Sequence, residues 1–148
     1  MIVQKVLNNS LVLSMDDDNR EVIVMGKGIG FNSRPGDAIA PEKIEKLFVT
    51  QALGARSGYL EALSAIPDEV IEMAAMIISR ANMQLASKVR EQIFFTLADH
   101  LTFAIERSRK GIAIQNRLLP EVRRFYPQQF RVASEAVTII RQQYGIEL

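Results

Sequence analysis

The sequence predicts an α+β chain in two modules: a small antiparallel β-sheet domain that dimerises, over residues 1–55, followed by an all-α helical bundle over residues 65–148. Residues 56–64 serve as linker and first helical residues. Three observations predict this. Short apolar runs in the first half are broken by Asn, Asp and Gly clusters, the pattern of strands and tight reversals. From Tyr59 onward apolar residues recur at helical spacing instead. Between the two lies Thr50-Gln51-Ala52-Leu53-Gly54-Ala55-Arg56-Ser57-Gly58, with the small and polar character of a linker.

Strands are expected from Ile2 to Leu7, Leu11 to Met15 and Arg20 to Met25, with a last one near Leu47-Phe48-Val49. Asn8-Asn9-Ser10 is the first reversal and Asp16-Asp17-Asp18-Asn19 the second, because Asn and Asp hydrogen-bond their own backbone and tolerate the left-handed region. Pro41 suits the first position of a single helical turn after Pro35-Gly36-Asp37. So thin a sheet needs a partner surface to bury an apolar face; a homodimer is the economical one, and the second half of the chain, set off by the linker, is the alternative.

In the second half, Pro67, Asp68 and Glu69 supply a first turn before Val70, Met73, Ala74, Ile77, Ile78 and Ala81, a helix that runs to about Leu85. Ser87 is suited to cap the next, which carries Phe94, Leu97, Ala98, Leu101 and Ile105 and ends in Arg107-Ser108-Arg109-Lys110-Gly111. A short helix from Pro120 to Phe125 and a longer one from Gln128 to about Gln143 follow, separated by Tyr126-Pro127. The second half is therefore a helical bundle.

With 148 residues, 48% of them hydrophobic, and a mean hydropathy near zero, the chain has enough apolar material for a real core. No apolar stretch approaches the ~20 residues of a membrane span, and Met1-Ile2-Val3-Gln4-Lys5 lacks a signal-peptide layout. The absence of cysteine excludes disulfides and thiolate sites, in keeping with a cytoplasmic protein. Net charge is only +1, and residues 1–55 are slightly acidic, so any affinity for nucleic acid has to come from a local patch.

That patch is Met25-Gly26-Lys27-Gly28-Ile29-Gly30-Phe31, where three glycines, a cation and an aromatic stand at one strand end. Glycines let a ligand approach the backbone, Lys27 can meet a phosphate and Phe31 can stack on a base. Neither common nucleotide motif fits. A dinucleotide fingerprint must open a helix, whereas turn-forming Asn32-Ser33-Arg34-Pro35-Gly36-Asp37 follows here. A P-loop needs a hydroxyl directly after its lysine, and Gly28 stands there. Read from the residues alone, Phe31 also suits a core plug, Asn8 and Asn9 turn formers, and Lys5 a solvated charge.

Lys5-Val6-Leu7-Asn8-Asn9, Glu21 through Phe31, Pro35-Gly36-Asp37 and Ile44-Glu45-Lys46-Leu47-Phe48 together resemble the RNA-binding domain of the BglG/SacY/LicT transcriptional antiterminators. Asp99-His100, Phe103-Ala104-Ile105-Glu106-Arg107, Leu118-Leu119 and Phe125-Tyr126-Pro127 resemble part of the first phosphotransferase regulation domain of that family. The resemblance implies a dimeric sheet that binds an antiterminator RNA hairpin in nascent mRNA of sugar-utilisation genes and so excludes a terminator hairpin. Carried over by position, the RNA contacts are Lys5, Asn8, Asn9, Ser10, Gly26, Lys27, Gly30 and Phe31. Ser10 stands where a third asparagine is usual, and Lys27 where arginine is usual. Lysine keeps the charge without the planar fork, and serine loses the amide that reads donor and acceptor together.

His100 is the single histidine, and a metal site finds no second histidine or cysteine to complete it. A lone histidine among apolar neighbours ordinarily packs or caps. The resemblance implies instead that His100 is phosphorylated by proteins of the sugar phosphotransferase system, with a sugar permease and the phosphocarrier protein as partners. It also implies that family members continue past the position of Leu148 to a second phosphorylatable histidine and a second regulation domain, so that this chain is truncated within the first. No catalytic constellation and no cofactor are expected. The rival readings are an interaction module whose sheet only dimerises, and a small enzyme using His100 as a base; the latter lacks a nucleophile, and Asp99 as a sequence neighbour points to another helix face.

Overall fold

The computed structural model describes residues 1–50 and 58–148, and the linker expected around 51–57 lies outside the described residues. The chain divides into two compact units, residues 1–68 and 69–148. The first unit holds a four-stranded antiparallel sheet in the order β1-β2-β3-β4, made of β1 (Lys5–Val6), β2 (Leu11–Met15), β3 (Glu21–Met25) and β4 (Lys46–Val49). It also holds a 3-10 turn at Pro41–Lys43 and the short helix α1 (Tyr59–Ser64).

Register follows the pleat. Val12 pairs with Val24 and Val24 with Leu47, while Leu13 pairs with Ile23 and Ile23 with Phe48. Alternate residues therefore line opposite faces. On one face Val12, Val22 and Val24 pack with Val3, Ile29 and Ile39. On the other, Leu11, Leu13, Ile23, Met25 and Phe48 are also buried in the single chain. Both faces of the sheet carry buried side chains in the chain.

The first strand is shorter than the apolar pattern predicts. Ile2 makes only an isolated bridge to Ala38, and the backbone of Val3 exchanges hydrogen bonds with Asp37 and Gly36 (2.9 and 2.8 Å). The chain start thus pairs with the loop after β3, a long-range choice that local periodicity cannot reveal. The second reversal is a tight hairpin in which Asn19 takes the left-handed region at φ 62°. Its Asp16 carboxylate accepts from the backbone N–H groups of Asp18 and Arg20 (3.0 and 2.8 Å) and from the Arg20 guanidinium. These bonds hold the Asp16 carboxyl below its ordinary range, the Arg20 backbone N–H contributing most.

The second unit is helical. It comprises α2 (Asp68–Gln84, the first residue of which closes the first unit), α3 (Ile93–Arg109), α4 (Leu119–Phe125) and α5 (Pro127–Tyr144). Buried faces recur at helical spacing: Val70, Met73, Ala74, Ile78 and Ala81 on α2; Phe94, Ala98, Leu101 and Ile105 on α3; Val132, Ala136 and Ile140 on α5. Phe94 and Phe95 meet edge to face at 5.2 Å between centroids. One capping expectation fails: α3 begins at Ile93 after Gln92, not at Ser87. Asn82 Oδ1 accepts from the Val89 backbone N–H at 2.7 Å, which ties the intervening segment back to α2 as a loop. At the other end Gly111 adopts φ 72° and Ile112 N–H bonds Arg107 carbonyl at 3.0 Å, the helix stop that the basic run and glycine predict.

Candidate nucleic-acid interface

Two reversals of the first unit meet at one end of the sheet. Gly26 N–H donates to Ser10 carbonyl at 3.0 Å and Gly30 N–H to Asn9 carbonyl at 2.9 Å, so the loop after β3 is stitched to the β1–β2 reversal. A Cβ on Gly30 would collide with the Asn8 carbonyl oxygen, and one on Gly26 with that of Lys43. Only glycine permits this approach. Gly28 does a different job, turning the chain at φ 67° in open space.

The turns then sort their side chains by direction. Ile29 is buried in the sheet core and anchors the loop. Phe31, two residues on, is 64% exposed, which settles it as a surface aromatic and not the core plug that the residues alone allow. Lys27 and Asn9 are exposed beside it in sequence and loop, and Lys5 is exposed on edge strand β1. The backbone N–H of Lys27 reaches Glu45 Oε1 at 3.4 Å.

Asn8 is the frame of the first reversal. Its Oδ1 accepts from Ser10 and Leu11 N–H, both at 2.9 Å, and its Nδ2 donates to the Leu63 and Ile66 carbonyls at 3.2 and 3.4 Å. The amide's two donors and its acceptor oxygen are thus all engaged within the unit. Ser10, 8% exposed, donates its hydroxyl to Asp68 Oδ1 at 2.9 Å, and Asn9 Nδ2 donates to Asp68 Oδ2 at 3.3 Å. Leu63, Ile66 and Asp68 are the residues that sequence reasoning missed. They stand more than fifty positions from the reversal they touch, and no local pattern signals the pairing.

In the second unit His100 is exposed on α3, outside the buried stripe of Phe94, Ala98, Leu101 and Ile105. Phe103, one turn away, is exposed too. His100 is therefore not a packed core histidine of this unit.

Comparison with known proteins decides the family. Residues 1–54 match the CAT RNA binding domain and residues 75–148 match the PRD domain. The chain belongs to the antiterminator family that joins these two domains. Over its full length it is 38% identical to a beta-glucoside operon antiterminator of Dickeya chrysanthemi and 34% identical to the transcription antiterminator LicT of Bacillus subtilis, covering 52% and 53% of those proteins. It therefore spans about half the length of these relatives. The crystal structure of GlcT CAT-PRDI superposes with a TM-score of 0.81 at 27% identity, over 99% of this chain and 88% of that one. The α+β order of antiparallel sheet and helices is thus shared with a solved relative. The family consists of RNA-binding transcription antiterminators, not enzymes. Among the described residues no helix is long and apolar enough to cross a membrane.

Proposed function

We propose that this chain is the RNA-reading and first regulatory portion of a cytoplasmic transcription antiterminator, which binds an RNA hairpin through the end of its sheet and thereby favours read-through of sugar-utilisation genes. The observation that carries the reading is the meeting of the two reversals: Gly30 N–H bonds Asn9 carbonyl, and Phe31 is left 64% exposed next to a loop bearing exposed Lys27. Turn chemistry alone does not need an exposed aromatic and a cation at one place, whereas an RNA loop uses both, one for stacking and one for phosphate.

In this reading Phe31 stacks on an unpaired base, Lys27 and Lys5 meet phosphates, and Asn9 and Ser10 offer polar groups to base edges or sugar. Gly26 and Gly30 bring the two reversals together, and Asn8 holds the shape of the first one. The chain acts as a homodimer, so that two such surfaces grip one hairpin. His100 receives a phosphoryl group from phosphotransferase-system proteins, for which its exposed place on α3 is suited. Added charge there alters how helical domains pair.

The test is titration with a short RNA hairpin carrying asymmetric internal loops. Phe31→Ala should weaken binding by the worth of one stacked base, about 1–3 kcal/mol, and Lys27→Ala should lower the slope of log affinity against log salt by roughly one. A chain whose sheet only dimerises would show neither effect.

A further inference from the structure

The side chains that would read RNA from the first reversal are already occupied by another part of the same unit. Ser10 hydroxyl and Asn9 amide both donate to the Asp68 carboxylate, and the amide of Asn8, which frames the reversal, donates to the two carbonyls at the end of α1 and just beyond it. A carboxylate offers two anionic acceptor oxygens, as a phosphate or a pair of base acceptors does. We infer that Asp68, together with the end of α1, is an intramolecular competitor for the RNA-reading reversal, so that the chain rests in a latched state from which RNA must displace it. This inference rests on the RNA-binding reading given above.

Two physical terms oppose RNA while the latch is closed. A serine hydroxyl has one proton to donate, and giving it to Asp68 leaves Ser10 only lone pairs for a ligand. The Asp68 charge also stands where a phosphate would approach, and like charges repel. The short Ser10 hydroxyl sits 2.9 Å from Asp68. The latch is local in its contacts yet placed at a junction. Asp68 is the last residue of the first unit and the first of α2.

When the binding-competent form is only a fraction of the population, apparent affinity falls by that fraction. Two charge-assisted hydrogen bonds to an exposed carboxylate, discounted for solvent, correspond to about a tenfold reduction.

The experiment uses the whole 148-residue chain, unphosphorylated, titrated with an RNA hairpin carrying asymmetric internal loops. Asp68→Ala should bind about tenfold more tightly than wild type. Glu61→Ala, which removes an equal charge from an exposed position of α1 without touching the reversal, should stay close to wild type. In wild type, adding RNA should speed amide hydrogen exchange across residues 59–66 as the end of α1 lets go. Equal affinities for Asp68→Ala and Glu61→Ala, or exchange over 59–66 that is unchanged or slowed by RNA, would overturn the latch while leaving RNA binding intact. Absence of any Phe31-dependent binding, in wild type and in Asp68→Ala alike, would instead bring down the RNA-binding reading, and the latch with it.

Discussion

Gly30 and Gly28 sit two residues apart in one loop and do opposite things, which makes them a sharp pair of probes. At Gly30 the obstacle to a side chain is the Asn8 carbonyl, fixed backbone that cannot swing away. At Gly28 nothing lies within reach, and only the positive φ resists substitution. Gly28→Ala should therefore cost about 1 kcal/mol of strain, whereas Gly30→Ala should cost about 1–3 kcal/mol and also pull the two reversals apart. Urea denaturation of the two variants checks the order. Equal losses would mean that the loops are not held by close approach. Phe31→Ala, by contrast, removes an exposed ring and should leave stability within ~0.5 kcal/mol of wild type. At this scale the sequence was informative about residue types and less so about their jobs. Three glycines beside an aromatic marked the surface, but whether each glycine serves a turn, a packed backbone or a ligand depends on atoms from residues 8 and 43 that no local pattern names.

The β2–β3 hairpin is the element whose chemistry is most self-contained. Asp16 closes it by accepting from Asp18 and Arg20 backbone and pairing with the Arg20 guanidinium at 2.8 Å. Its folded carboxyl lies below the usual value of 3.8, so between the two values the unfolded chain binds more protons than the folded one. The contribution is thus fully present above the unfolded carboxyl's range and is lost as pH falls through the folded value. Thermal melts of wild type and Asp16→Asn should differ most at about pH 6, above the unfolded carboxyl's range, and converge progressively as pH falls below 3.8. A gap independent of pH would contradict the assigned role of the carboxylate. This hairpin was legible in advance because its signals are local: alternating apolar residues on either side of an Asp/Asn run. The core strands and helix faces were legible for the same reason. What escaped was non-local. Strand β1 is cut short by pairing of Val3 with the loop at residues 36–37, and α3 starts late because Asn82 reaches across to Val89. The hydrogen bond from Ser10 to Asp68 belongs to the same class of long-range bonding.

Across the whole molecule, the two units carry separable features, the sheet end with exposed Lys27 and Phe31 that we propose reads RNA in one, and an exposed histidine on α3 in the other. Incubation with the general phosphotransferase components should place phosphate on His100, read by mass spectrometry, and His100→Ala should abolish that label. Label retained in the variant would remove the regulatory role from this residue. Family membership was readable from signatures in both halves, since each depends on residues close together in the chain. The bonding of the first reversal to Leu63, Ile66 and Asp68 was not. The most direct measurement of the central claim is RNA-hairpin titration of wild type against Phe31→Ala over a range of salt. An RNA-reading sheet end predicts salt-dependent binding of wild type and a loss of about tenfold or more in the variant, the equivalent of one stacked base. Binding that is equal in both proteins, or absent from both, would contradict it.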